Sequence, residues 1–176
     1  TEIVRSTTDE VLARVKSDRD ALRQDPAKMY ALVSELIFPR FDFPIMAQWV
    51  LGTNWKGADE QVREVFIGQF RKLLVRTYAT ALLEFSDQAI SYPDATATKK
   101  GRTAVVRQEI EQAGSSPIAL GYRLHNTEGT WKVFDVSVDG VSLVKTYRAS
   151  FSSIINSGGL AGLIETLSAK NSEISQ

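Results

Sequence analysis

The stretch IALGYRLHNTEGTWKVFDVSV, running from Ile118 to Val138, decides the fold. Successive side chains of a strand point to opposite faces, so Ile118, Leu120, Tyr122 and Leu124 share one face and Ala119, Gly121, Arg123 and His125 the other. Asn126 to Gly129 is rich in turn formers. The period of two then resumes from Trp131 to Val138, with Phe134, Val136 and Val138 on one face and Trp131 and Val133 on the other. A connection this short joins antiparallel neighbours.

Working upstream, Thr103–Gln112 reads as a third strand, with Ala104, Val106 and Ile110 alternating against Val105, Arg107 and Glu109. Gln88–Tyr92 is a short candidate strand, and Pro93–Arg102 between them is the loosest segment. Before this the period is helical. Asp59 caps the longest helix, with Glu60 and Glu64 near its start, where the helix dipole favours acids. Val62, Phe66, Phe70, Leu73, Leu74, Thr77 and Ala81 form its stripe, and Ile67, Val75, Tyr78 and Leu82 widen that stripe beyond one core face. At ~1.5 Å per residue, Asp59 to Leu83 spans about 37 Å, enough to flank an extended hydrocarbon chain.

The first third is also helical. Val4, Val11, Leu12, Val15 and Leu22 recur at helical spacing, and Asp25-Pro26 caps a second helix carrying Met29, Leu32, Val33, Leu36 and Ile37 up to Pro39. Phe41 to Leu51 is a short apolar helix that ends at Gly52. Downstream of Gly140, Leu143, Val144, Tyr147, Phe151, Ile154 and Ile155 make another stripe. Gly158-Gly159 breaks it before a last helix of Leu160, Leu163, Ile164 and Leu167, and Lys170 to Gln176 is a polar tail. Helices, then strands, then helices define an α+β class.

Composition narrows the function by exclusion. With 21 basic and 21 acidic residues the chain lacks the basic excess of a nucleic-acid binder. Cysteine is absent, which removes thiol catalysis, disulfides and thiolate zinc sites. No stretch approaches the ~20 apolar residues of a membrane span. The start at Thr1, running at once into helix, reads as a mature or trimmed chain, with any signal segment it had already gone.

Few residues offer chemistry. His125 is the only histidine and is expected as a solvated residue beside the turn. Asp135 and Asp139, four apart on a strand, share a face and are expected at a solvent edge. Together with His125 they leave one alternative open, a small enzyme acting on a hydrophobic substrate. Gly52, Gly57 and Gly68 form no phosphate-cradling loop, and no metal-ligand spacing exists. Arg71, Lys72 and Arg76 sit on the long helix, with Arg76 inside an apolar run where its stem packs and its head reaches out; Arg148 beside Tyr147 reads the same way.

The motifs also carry a resemblance. Phe41-Asp42-Phe43, Met46-Ala47, Val50-Leu51-Gly52, Trp55, Phe66, Phe70-Arg71 and Leu73-Leu74-Val75-Arg76-Thr77-Tyr78-Ala79 resemble the MlaC/Ttg2D family of phospholipid-binding, toluene-tolerance proteins. So do Trp131-Lys132-Val133-Phe134-Asp135-Val136, Gly140-Val141-Ser142-Leu143-Val144, Tyr147-Arg148, Phe151, Gly159-Leu160-Ala161-Gly162-Leu163-Ile164 and Lys170-Asn171.

The length of 176 residues reads as one domain, Thr1–Gln176, and the resemblance, which runs from about Phe41 to Asn171, implies that this domain binds phospholipid. It implies a twisted antiparallel sheet of about four strands packed with N-terminal and C-terminal helices around an apolar cavity, reminiscent of the NTF2-like fold. It implies a monomeric periplasmic carrier, made with a signal peptide, that holds acyl chains inside and leaves the headgroup outside. Such a carrier shuttles phospholipid between an outer-membrane lipoprotein–porin complex and an inner-membrane ABC transporter, and so maintains outer-membrane asymmetry. Phospholipid is then cargo, and no cofactor, metal, nucleic acid or catalytic residue is expected. A phosphate-facing role for Arg76 or Arg148 is left open. Face assignment and position in the matching blocks nominate Phe66, Phe70, Leu74, Tyr78, Leu120, Tyr122, Phe134, Val136, Val141, Val144, Tyr147 and Phe151 as the cavity lining.

Overall fold

Asp59 begins the element around which the fold is arranged. Its side chain accepts from the Val62 backbone N–H at 2.8 Å, satisfying one of the free donors at the start of the long helix. In this computed structural model, which describes residues 2–85, 88–93, 96–97 and 101–172, that helix runs over Glu60–Glu84. Three helices and a short fourth precede it: α1 (Glu2–Gln24), α2 (Pro26–Leu36), α3 (Phe43–Leu51) and α4 (Thr53–Lys56); the long helix is α5. Asp25 and Asp42 cap α2 and α3 by accepting from Ala27 and Ile45 backbone N–H groups at 3.0 and 3.2 Å, and each is followed within two residues by a proline in the first turn.

The strands follow as β1 (Ile90–Ser91), β2 (Thr96–Ala97), β3 (Thr103–Gln112), β4 (Ser115–Thr127), β5 (Thr130–Val138) and β6 (Val141–Ser142), and α6 (Leu143–Ser172) closes the described chain. The sheet is antiparallel in the order β1-β3-β4-β5-β6, with β2 also paired to β3. Three long strands carry it and three two-residue strands border it; the four expected strands are β1, β3, β4 and β5, paired in that order, and β2 and β6 are additional. The candidate strand Gln88–Tyr92 contracts to Ile90–Ser91. Half of the expected loose segment Pro93–Arg102 lies outside the described residues, and Thr96–Ala97 within it pairs with β3 as β2; the end of the polar tail also lies outside them, and Lys170 to Ser172 continue α6.

The register shows why the alternation in β5 misleads. Tyr122 pairs with Val136 and Leu120 with Val138, but the pairing slips between Arg123 and Leu124, so that Asp135 faces Arg123 and Val133 faces Leu124. Phe134 is the extra residue of a β-bulge. The bulge returns Val133 to the face of Val136 and Val138, and turns Phe134 to the other side, where its ring meets His125 edge-on and lies under the Arg123 guanidinium. The sequence expects Phe134 with Val136 and Val138, and the structure corrects that.

Two apolar clusters result. The larger joins α1, α2, α3, α5 and α6 through residues such as Val15, Met29, Phe43, Met46, Phe66, Phe70, Phe151 and Leu163, all 4 % exposed or less. The smaller lies beneath the sheet, where Val4 of α1 meets Val106, Leu124 and Val133. The chain entering α3 is stitched to the sheet, since Asp42 N–H donates to the Val133 carbonyl at 2.8 Å and Phe41 bridges Val133. α6 bends at Gly159, whose backbone (φ 70°, ψ −177°) lies in a region open to glycine. The break expected at Gly158-Gly159 is found there, as two helical stretches of α6 meeting across a kink at Gly159.

Candidate functional site, an apolar cavity

Between the inner face of the sheet and the helices lies a cavity of about 700 Å³, toward the upper end of the roughly 300–1,000 Å³ of ligand-sized pockets. The sheet forms one wall with Gln108 and Ile110 of β3, Ile118, Leu120 and Tyr122 of β4, and Val133, Val136 and Val138 of β5. These are the positions that register places on one face. The C-terminal half of α5 forms a second wall with Leu74, Val75, Tyr78, Ala79 and Leu82. α1 forms a third with Ile3, Val4, Val11 and Leu12, and Phe38, Phe41 and Phe43 close the end beside α3.

This division explains the wide apolar stripe of α5. Its N-terminal half turns Phe66 and Phe70 into a ring cluster with Phe151 and Tyr147 of α6, at centroid distances of 5.5 to 6.2 Å. Its C-terminal half spends the added surface on the cavity. Of the twelve nominated residues, Leu74, Tyr78, Leu120, Tyr122 and Val136 line the cavity. Phe66, Phe70, Tyr147 and Phe151 instead hold α5 against α6, because both helices present large rings at matching height. Val144 is buried in the larger core, Val141 is 60 % exposed on β6, and Phe134 is turned away by the bulge.

The residues missed are chiefly those of α1 and of the strand ends. Ile3, Thr7, Val11 on one row and Val4, Thr8, Leu12 on the next repeat at four-residue spacing and were visible as a second stripe beside the core positions. Ile118 and Val138 share the faces already assigned to Leu120 and Val136.

Buried polarity in the cavity is concentrated on Gln108, which is 1 % exposed. Its amide nitrogen donates to Thr8 Oγ1 and to the Tyr92 hydroxyl, each at 3.1 Å, and its oxygen accepts from the Tyr122 hydroxyl at 2.8 Å. A neutral amide whose groups are all engaged adds no charge to an apolar wall and ties α1, β3, β4 and the segment after β1 together. Burial, with Tyr92 nearby, holds the Tyr122 phenol well above its ordinary pKa, and burial with the Tyr147 hydrogen bond does the same for Tyr78. Both stay neutral. The charged lining residues Arg40, Glu84 and Glu111 are exposed and mark the rim.

The candidate catalytic residues are engaged elsewhere. His125, expected in solvent, is part-buried, with Nε2 2.9 Å from Asp42 Oδ2 and Nδ1 2.9 Å from Thr127 Oγ1. Asp135, expected at a solvent edge, is 5 % exposed and starts α6, accepting from Ser142 Oγ at 2.5 Å and from Val144 N–H at 3.2 Å. Asp139 does lie in solvent, accepting from Ala119 N–H at 3.1 Å. None of the three lines the cavity. Arg71 lies over Phe43, 4.7 Å from its ring centroid, and the Arg148 guanidinium lies beside Gly52. Neither these arginines nor Arg76 reach the cavity wall. Among the described residues no group of three His, Cys, Asp or Glu could hold a metal, and no helix is long and apolar enough to cross a membrane.

Fold and site together define an α+β binding protein built around an apolar cavity. The family model for the MlaC protein matches residues 5–169, and the chain belongs to the MlaC family. It is similar to the intermembrane phospholipid transport system binding protein MlaC of Haemophilus influenzae, 26 % identical over 97 % of this chain and 81 % of that one. It is also similar to the toluene tolerance protein ttg2D of Pseudomonas putida, 26 % identical over 90 % of this chain and 74 % of that one. Among solved structures, the phospholipid-binding protein of Ralstonia solanacearum, in complex with a phospholipid, superposes with a TM-score of 0.91 at 32 % identity, covering 99 % of this chain and 98 % of that one.

Proposed function

We propose that this chain is a phospholipid carrier of the periplasm, one domain acting as a monomer, which encloses acyl chains in the cavity and moves lipid between outer and inner membranes. The observation that carries the reading is the cavity itself: apolar walls from α1, α5 and three strands, with charge confined to the rim. Membership of the MlaC family and the phospholipid in the Ralstonia relative support the choice of cargo.

The energetics favour a carrier that works with partners. Two chains of ~15 methylenes at ~0.8 kcal/mol each amount to roughly 24 kcal/mol gross. Non-covalent affinities saturate near about −18 to −21 kcal/mol, so much of this is offset by ordering and opening, and unassisted release into water is slow. Delivery therefore requires acceptors with apolar surface of their own, for which an outer-membrane lipoprotein–porin complex and an inner-membrane ABC transporter are the proposed partners. The enzyme alternative finds no support, because His125, Asp135 and Asp139 hold separate structural hydrogen bonds outside the cavity.

The test is to fill the cavity. Val136→Trp and Leu120→Trp, alone and together, should lower the phospholipid recovered per chain several-fold while far-UV circular dichroism stays that of the parent. A folded double variant carrying as much phospholipid as the parent would overturn the assignment of the cavity as the lipid site.

A further inference from the structure

The two ends of the cavity differ. Along α5 its lining runs from Leu74 to Phe85, about 16 Å at ~1.5 Å per residue, close to the ~15 Å of hydrocarbon in one bilayer leaflet. An acyl chain therefore fits extended along α5 and reaches from one end of the cavity to the other. Toward Phe85 the lining residues Glu84, Glu111 and Gln112 are exposed, and Ile110 and Ile118 beside them are half-buried. Toward Leu74 the walls are closed: Val4, Val33, Phe38, Phe43 and Val133 are each 8 % exposed or less. The oxygens of a lipid stay near water at the first end, and the methyl ends of its chains, which need none, lie at the second.

The closed end is built where the chain crosses from the helices to the sheet. The Asp42 N–H donates to the Val133 carbonyl at 2.8 Å, and His125 Nε2 lies 2.9 Å from Asp42 Oδ2, so the crossing is fastened to both β5 and β4. Arg40, on the same crossing, is exposed. Phe41 and Phe43, on either side of Asp42, both line the cavity, and their rings stack with centroids 5.9 Å apart. Phe38 meets Phe43 edge-on at 5.1 Å. Behind these rings is a cation. The half-buried Arg71, which does not line the cavity, holds its guanidinium 4.7 Å from the Phe43 centroid and 5.4 Å from that of Phe38. A methylene pushed past the rings would break their contacts with one another and with the guanidinium, and would lie against a charge.

We propose that Phe41 and Phe43, backed by Phe38, form a stop that meets the methyl ends of the acyl chains and sets the longest chain the carrier accepts. The inference rests on the carrier function proposed above and adds a chain-length limit to it. Vesicle and cavity both offer hydrocarbon, so a methylene that fits passes between them with little net change. A methylene beyond the stop has no enclosed place. Leaving it in water lowers occupancy up to about fourfold, the ratio that corresponds to ~0.8 kcal/mol. Loading is then level for chains up to the depth of the cavity and falls for longer ones.

The experiment incubates the purified, delipidated chain with vesicles of mono-unsaturated phosphatidylcholines in equal amounts, one headgroup throughout, with chains shorter and longer than ~15 methylenes. The re-isolated protein is extracted and each lipid quantified by mass spectrometry. The parent is expected to show a cutoff beyond which loading falls up to about fourfold per added methylene in a chain. Phe41→Ala, which removes a half-buried ring, should move the cutoff to longer chains. Leu74→Phe, which adds bulk at the same end, should move it to shorter ones, so the test stands if circular dichroism shows either variant unfolded. Phe151→Leu takes a buried ring from the core outside the cavity and should leave the cutoff unmoved. A parent that loads every length alike overturns the stop and leaves the carrier standing. So does a folded Phe41→Ala or Leu74→Phe chain with the parent's cutoff, or a Phe151→Leu cutoff displaced as far as that of Phe41→Ala. A parent that takes up no lipid overturns both.

Discussion

At the scale of single residues, Gln108 carries the most structural consequence for its size. Four polar groups converge on one another inside an apolar wall, and each is satisfied only because the others are in place. Replacing the amide by an isosteric hydrocarbon strands the hydroxyls of Thr8, Tyr92 and Tyr122. Gln108→Leu should therefore lose about 1–3 kcal/mol of folding stability, the cost of unsatisfied buried polar groups, read as a lower urea midpoint with an unchanged slope. A variant as stable as the parent would show that the network adds nothing. Gln108 was invisible in sequence because one polar residue on an alternating strand looks like any other, and its three partners lie 14 to 100 positions away. His125 was unreadable for the same reason, since its partner Asp42 is 83 positions upstream.

At the scale of elements, period sets type and caps set ends. Asp25 and Asp59 each announce a helix start in sequence and each caps one, whereas Asp42, inside the segment read as Phe41 to Leu51, caps a third that the pattern did not mark. Thr103–Gln112 was legible as a strand with its boundaries intact, because its alternation is uninterrupted. What the period cannot reveal is a change of phase. One inserted residue at Phe134 leaves the alternation apparently unbroken on either side while reversing which side chains face the cavity. In the same way, the rings of α5 and α6 read as potential lining when they are the contact between two helices, since a buried stripe looks alike whether it meets a protein or a ligand. The kink of α6 is testable at this scale. Added Cβ atoms at Gly158 and Gly159 meet nothing within 4 Å, but Gly159 alone has φ 70°. Gly159→Ala should cost about 1–3 kcal/mol through backbone strain. Gly158→Ala should be neutral or gain up to about 1 kcal/mol from the stiffer unfolded chain. Equal thermal shifts for the two would contradict a kink held by glycine.

At the scale of the whole molecule, core and cavity share walls and divide the long helix between them. The larger core draws on α1, α2, α3, α5 and α6, while the cavity, walled by the C-terminal half of α5, by α1 and by the sheet, also uses Val11, Val33, Phe38 and Phe43 of that core. The α+β class and the apolar character of the interior could be read from composition and period. The sharing of α5 between a core half and a cavity half could not, because it depends on which helix packs where. α1, which the family model covers from residue 5 although the recognisable motifs begin at Phe41, supplies a full wall. Such a molecule holds its cargo as part of its interior, so lipid should survive purification. The most direct measurement is organic extraction of the freshly purified, unheated chain, with phospholipid quantified against protein by mass spectrometry. The carrier account predicts phospholipid in near-stoichiometric amount, recovered from the parent and depleted by tryptophan at Val136 and Leu120. A folded chain that yields no phospholipid and takes up none from vesicles would contradict it.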